Sequence, residues 1–249
     1  MDFSAFQHLL KPPALSDIRR ALFIQPHPDD NEIGAGGTMA RLVHAGAEVF
    51  ALTVTDDRFC DGPDYSGLET VRQREALAAC AALGVQHIAF LGFADKTDAS
   101  IREISLALLP HIRALRPDAV FSCDPALENE CHSDHIKVGY AVRFAVMDAT
   151  CDFYPPLSGS VRHADTWRVP ILGQYYTDRP NTLVDISDFY EQKRTAVRCH
   201  ASQNPEVLLR MLDFLNEYER EGVYSAVERI KLLRSEHLHC FTPKVGGKF

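Results

Sequence analysis

Two short clusters of ionisable residues carry the chemical potential of this chain. Pro26-His27-Pro28-Asp29-Asp30-Asn31-Glu32 joins one imidazole to three carboxylates within a single turn-like stretch. His132-Ser133-Asp134-His135 places two imidazoles three positions apart with a carboxylate between them. Imidazole and carboxylate donors suit a zinc-like divalent ion, and catalytic zinc characteristically keeps three protein ligands and one position open to water. His27 and Asp30 are three apart on a tight turn, and His132 and His135 share one face of a helix, so each pair can point into one cavity. A His-x-x-His alone is a common accident, and paired aspartates after a strand often cap a helix. The chemistry therefore depends on whether the fold brings both clusters together.

Hydropathy supplies such a place. Strands over 21–25, 49–55, 87–91 and 119–123 alternate with helices over 37–47, 69–83, 101–115 and 132–147. Gly84 closes the second helix and Pro117 stops the third. Short apolar strands alternating with helices predict a parallel sheet covered on both faces. The fold class is α/β, a Rossmann-like doubly wound, mostly parallel sheet. Ligands of such sheets sit beyond the carboxyl ends of the strands, and both clusters directly follow strands there. After 149 the rhythm changes, with strands over 171–176 and 182–186 and helices over 187–200 and 205–221. No linker or repeat separates this part, so 1–249 is read as one domain with a core over 20–150 and a C-terminal elaboration over 151–249.

Bulk properties narrow the function classes. A chain of 249 residues with 46% hydrophobic content can bury a core, and its net charge of −8 opposes binding to nucleic acid or to an anionic membrane. No run approaches the roughly 20 apolar residues of a membrane span, and the N-terminus lacks the basic start and apolar run of a signal peptide. Seven cysteines without a Cys-x-x-Cys pair read as reduced thiols in a cytoplasmic protein.

The His-Pro-Asp-Asp turn, the following Gly36-Gly37 and the downstream His-x-Asp-His resemble the PIG-L/LmbE family of zinc-dependent N-deacetylases. The likeness extends over about 21–203, through Thr55-Asp56, Arg72 to Val85, Pro180-Asn181, Asp185-Ile186 and His200-Ala201-Ser202-Gln203. Pro26 before His27 is closest to the diacetylchitobiose deacetylase-like branch. Asn31 departs from the family, which usually has Glu directly after the aspartate pair.

The resemblance implies a role for each matching residue. His27, Asp30 and His135 would hold Zn2+, or another divalent ion such as Fe2+. Asp29 would be the general base, and a positively charged His132 would stabilise the oxyanion or protonate the leaving amine. Arg72 would hold sugar hydroxyls, and Asp134 would orient a histidine from behind the metal. The implied activity is removal of an N-acetyl group from an N-acetylglucosamine-type sugar or small glycoside, such as chitobiose, a thiol precursor or an antibiotic intermediate. Two alternatives stand beside it: a metal-dependent amidohydrolase of a non-sugar N-acyl substrate, and a catalytically silent sugar-binding relative. The implied partner is a small amino sugar, with self-association into a homo-oligomer a family tendency.

Other residues divide between functional and structural readings. Asp56 follows the second strand and is either a substrate contact or ordinary turn chemistry. Gly34, Gly36 and Gly37 fit close packing better than a phosphate cradle. Tyr175-Tyr176 reads as strand core, while Trp167 could stack on a sugar ring. His237 and His239 are either late additions to the site or surface histidines.

Overall fold

The computed structural model describes residues 13–56, 68–151, 166–219 and 225–234. β1 (Arg20–Gln25) is buried at every position after Arg20, as expected of a central strand covered on both faces. It pairs in parallel with β2 (Glu48–Thr55) on one side and β4 (Ala119–Cys123) on the other. β3 (Gln86–Phe93) extends the sheet beyond β2, and β5 (Ile171–Tyr175) extends it beyond β4, both again parallel. The far edge is antiparallel: β7 (Val227–Arg234) lies between β5 and β6 (Thr182–Asp185). The order is β3-β2-β1-β4-β5-β7-β6, a mostly parallel α/β sheet.

One face of the sheet is covered by α1 (Asp30–His44), α2 (Leu68–Leu83) and α5 (Tyr190–Arg198), whose Met39, Leu83 and Ala196 meet Phe23 and Phe121 in one core. The other face carries α3 (Ile101–Leu115) and α4 (Ser133–Asp148), where Leu108 and Val142 pack on Leu22 and Val120. α3 shows how local sequence sets these boundaries. Ser100 and Glu103 form a reciprocal capping box at its start, and Arg116 leaves it in the left-handed region (φ 53°) just before Pro117. α6 (Pro205–Glu219) completes the described helices, and none of these is long and apolar enough to cross a membrane.

β1 and β4 are neighbours from which the chain departs in opposite directions, toward β2 and β3 on one side and β5 on the other. This is the switch point at which doubly wound sheets open a crevice. The two ionisable clusters follow β1 and β4, so both project into that crevice.

The structure departs from the sequence reading at particular points. α1 begins at Asp30, not at Gly37, because the aspartate turn itself opens the helix, which then kinks at Ala35 (φ −147°, ψ 18°). The glycines serve packing: a Cβ on Gly34 would lie 2.4 Å from Tyr175 Cδ2, and one on Gly37 2.6 Å from Ile186 Cδ1. β7 was not anticipated, since Val-Glu-Arg-Ile-Lys-Leu-Leu-Arg buries a glutamate and disguises its strand pattern. The span 187–200 splits into a 3-10 turn and the shorter α5. Trp167 donates its indole N–H to the Pro117 carbonyl (2.8 Å), at the amino end of β4 and across the sheet from the crevice. It is therefore not a stacking platform for a ligand at the carboxyl edge. His237 and His239 lie outside the described residues, as does the end of the 205–221 span.

Candidate active site

The turn after β1 is fastened before it presents any chemistry. The Pro26 carbonyl accepts hydrogen bonds from the Thr55 amide (2.9 Å) and hydroxyl (2.8 Å), tying the turn to β2. Asn31 is fully buried, accepts a hydrogen bond from the Tyr175 hydroxyl on Oδ1 (3.0 Å) and donates its backbone N–H to Gln25 Oε1 (2.9 Å). The residue that departs from the family pattern is thus part of the core beneath the turn. Asp29 adopts φ 124°, a region that L-residues rarely occupy.

Asp30 bridges the two clusters. Its Oδ2 accepts from the His27 amide (2.9 Å) and lies 3.2 Å from His27 Nδ1, while Oδ1 lies 3.3 Å from His135 Nε2. The far nitrogen of each ring meets another carboxylate. His27 Nε2 is 3.1 Å from Asp95 Oδ1 and 3.3 Å from Asp134 Oδ2, and His135 Nδ1 is 2.9 Å from Glu130 Oε2. His27, His132 and His135 can each offer a nitrogen within 4.8 Å of the others, and a second group of that kind joins His27, Asp95, His132 and Asp134.

His132 differs from its two neighbours. Its Nδ1 accepts the Asp134 backbone N–H (3.3 Å), so in the neutral ring the proton sits on Nε2. Burial and the adjoining His27 and His135 lower its pKa, favouring that neutral form. In that neutral form His132 presents an N–H at Nε2.

Arg72, expected at sugar hydroxyls, is buried against the turn. Its guanidinium donates to the Pro28 carbonyl and lies 3.3 Å from Asp29 Oδ2. Asp56 is also buried, and its Oδ1 accepts the Asp95 backbone N–H (3.3 Å), behind the residue that meets His27. Asp134 has no exposed surface and accepts the Lys96 (2.7 Å) and Thr97 (3.1 Å) amides as well as facing His27. The His200-Ala201-Ser202-Gln203 stretch braces the helix that carries Arg72, because the Ser202 amide and hydroxyl both donate to Glu75 of α2 (2.7 Å each). Asp95 and Glu130 were missed by the sequence reading. Asp95 lies in a turn without a motif, whereas Glu130 is legible in hindsight as the first residue of Glu-x-His-x-x-His.

The electrostatics of the cluster suit a cation. Burial opposes charge on His27, but hydrogen bonds to Asp134, Asp30 and Asp95 prevail and push its pKa up to about 12. Burial likewise opposes charge on His135, and Asp30 and Glu130 raise it to about 9. Asp30 stays ionised against its burial through the charges and hydrogen bonds of the two imidazoles. Hydrogen bonding to His27 holds Asp95 low. Carboxylates converging on two imidazoles bring together the nitrogen and oxygen donor types that suit a divalent cation.

Comparison with known proteins places the chain in a family. Residues 22–146 match the PIG-L family, described as GlcNAc-PI de-N-acetylase. The chain belongs to the PIG-L family. A diacetylchitobiose deacetylase of Thermococcus kodakarensis is 38% identical over 195 residues, covering 77% of this chain and 72% of that protein. A 1D-myo-inositol 2-acetamido-2-deoxy-alpha-D-glucopyranoside deacetylase from a Mycobacterium species is 30% identical, covering 77% of this chain and 76% of that one. Among solved structures, the N,N'-diacetylchitobiose deacetylase of Pyrococcus horikoshii, complexed with its inhibitor MPG, superposes with a TM-score of 0.78. It is 28% identical, and the match spans 97% of this chain and 92% of that one. This PIG-L member thus shares the fold of the Pyrococcus horikoshii deacetylase over most of both chains.

Proposed function

We propose that this protein is a divalent-metal-dependent hydrolase that removes the N-acetyl group from an N-acetylglucosamine-type sugar or small glycoside. The observation that carries the reading is Asp30 placed between two imidazoles, with Asp29 beside it on the same turn and His132 opposite. The deacetylase relatives supply the substrate class, and the proposed substrate is a soluble amino sugar handled by one domain.

His27, Asp30 and His135 are the residues that would hold the ion, Zn2+ first and Fe2+ as the alternative. Asp30 brings the negative charge, and each histidine directs one nitrogen at it and the other at a carboxylate. His132 is left out of this set because its Nε2 carries the proton. A bound divalent ion supplies Lewis acidity toward the amide carbonyl and acidifies water.

The chain's own groups perform the rest. Asp29, oriented by Arg72, takes the proton of the attacking water as its oxygen bonds to the acyl carbon. The His132 Nε2–H donates to the negative charge that develops on the carbonyl oxygen. Asp29 then returns the proton to the sugar nitrogen as the C–N bond breaks, releasing acetate and the free amine. Asp134 and Asp95 keep the His27 ring turned toward Asp30.

The test is acetate release from a panel of N-acetylated glycosides, with and without chelator, comparing wild type with Asp29→Asn. The expected outcome is chelator-sensitive release that falls on the order of 10²–10⁴-fold in the variant while metal content is unchanged. Release that survives chelation, or an active Asp29→Asn protein, would refute the assignment.

A further inference from the structure

We propose that Glu130 is a positioning residue for the cation site, selecting the orientation of the His135 ring that turns Nε2 toward Asp30. The proposal rests on His135 being a ligand and extends that assignment to the loop before α4.

The His135 ring is held in its plane by neighbours that cannot choose between its edges. It lies nearly parallel to Tyr176, with centroids 6.1 Å apart at 15°, and to His132 at 4.9 Å and 30°. Rotating an imidazole by half a turn about its Cβ–Cγ bond keeps the ring in that plane, so both stacking contacts survive. The flip would exchange the nitrogen facing Asp30 for carbon. Hydrogen bonding must therefore decide the orientation.

Glu130 is built to make that choice. Its Oε2 accepts from His135 Nδ1 at 2.9 Å, which fixes the proton on Nδ1 and leaves Nε2 as the donor atom at the site. Its Oε1 accepts the His132 backbone N–H at 2.7 Å, so both oxygens are engaged and the carboxylate cannot rotate away. Its own amide donates to the Leu127 carbonyl (3.1 Å), within a loop that starts from the buried Asp124. The side chain is only 15% exposed. Glu130 thus does for His135 what Asp134 does for His27, each engaging the ring nitrogen turned away from Asp30.

The experiment measures Zn2+ affinity of metal-free wild type, Glu130→Ala and Glu130→Gln by competition with a chromophoric chelator, alongside the thermal midpoint of each metal-free protein. Glu130→Ala is expected to bind Zn2+ on the order of 10–100-fold more weakly, and to lower the metal-free midpoint because the His132 N–H and the His135 ring lose their acceptor. Glu130→Gln, whose amide oxygen can still accept the Nδ1–H, is expected to recover part of the loss. Affinity in Glu130→Ala within twofold of wild type would overturn the proposal. So would affinities of the two variants that simply follow their metal-free midpoints, because the residue would then be holding the loop and not the ring. Failure of wild type itself to take up Zn2+ would instead refute the cation assignment, and the role of Glu130 with it.

Discussion

Glu228 offers the sharpest test of how the crevice is built. It sits on β7, is 4% exposed and accepts four hydrogen bonds: from the Gly37 amide (2.9 Å), the Thr38 amide (2.7 Å), the Thr38 hydroxyl (2.6 Å) and Lys193 Nζ (2.6 Å). The kink at Ala35 interrupts the ladder of α1, and Glu228 supplies the acceptor for the amides that follow. It acts as an N-terminal cap donated by a distant strand. Glu228→Ala would strand the Lys193 ammonium, itself 4% exposed, and leave two buried amides without their acceptor. Breaking a buried pair from one side costs about 3–5 kcal/mol, and each orphaned amide about 1–3 kcal/mol where water cannot reach it. These terms overlap in one site, so the expected loss is about 4–6 kcal/mol, a large share of the roughly 5–15 kcal/mol that folded proteins possess.

Urea unfolding followed by tryptophan fluorescence and far-UV circular dichroism would measure this loss. A second variant separates charge from geometry. Lys193→Met combined with Glu228→Gln removes both charges and keeps an acceptor for α1, so it should regain about 2 kcal/mol or more relative to Glu228→Gln alone. A loss below about 1 kcal/mol for Glu228→Ala, or a double variant no more stable than Glu228→Gln, would refute the argument that a buried lysine dominates the site.

Other outcomes follow from the same contacts. Arg72→Lys should lower kcat on the order of 10–100-fold with KM little changed if the guanidinium positions Asp29; a raised KM with unaltered kcat would return Arg72 to the sugar. Stripping the protein with a chelator should lower its thermal midpoint, and Zn2+ should restore it, because binding to the folded state alone stabilises that state; an unmoved midpoint would count against an ion at Asp30. His87 is driven down to about 4 by burial against the opposing charge of Glu32, and its Nε2 pairs with the Thr53 hydroxyl (2.9 Å). The unfolded chain takes up this proton near pH 6.5, so stability should fall as pH drops from about 6.5 to 4 and be level above that window. Urea midpoints of wild type and His87→Gln should therefore converge as the pH is lowered, and a constant gap would exclude His87 as the acid-sensitive group.

What the sequence made legible and what it hid have distinct physical origins. β1 and β4 declare themselves through uninterrupted apolar runs, and the motifs after them announce the crevice, since a cation needs particular side chains at particular spacings. Spacing accordingly names His27, Asp30, Asp134 and His135, and the structure joins them through His27 and Asp30. Asp95 was invisible because a single aspartate in a turn has no partner in the sequence; only the pairing of β2 with β3 carries it to His27. The sequence places Arg72 and Asp56 near the site but not at a depth, because spacing does not show whether a charge faces solvent or the backbone behind; the structure buries both.

β7 fails for a related reason. A strand that buries Glu228 against Lys193 and the kinked α1 cannot show an apolar alternation, since the buried position carries a charge whose partners lie far along the chain. The polar residues hardest to assign from the sequence are therefore those whose partners come from other elements. Glu130 marks the boundary between the two kinds: its partners His132 and His135 are two and five residues away, so local spacing alone could have revealed it. Polar residues of the cluster are legible when their partners lie a few positions away in the chain, and they disappear from view when the sheet supplies those partners.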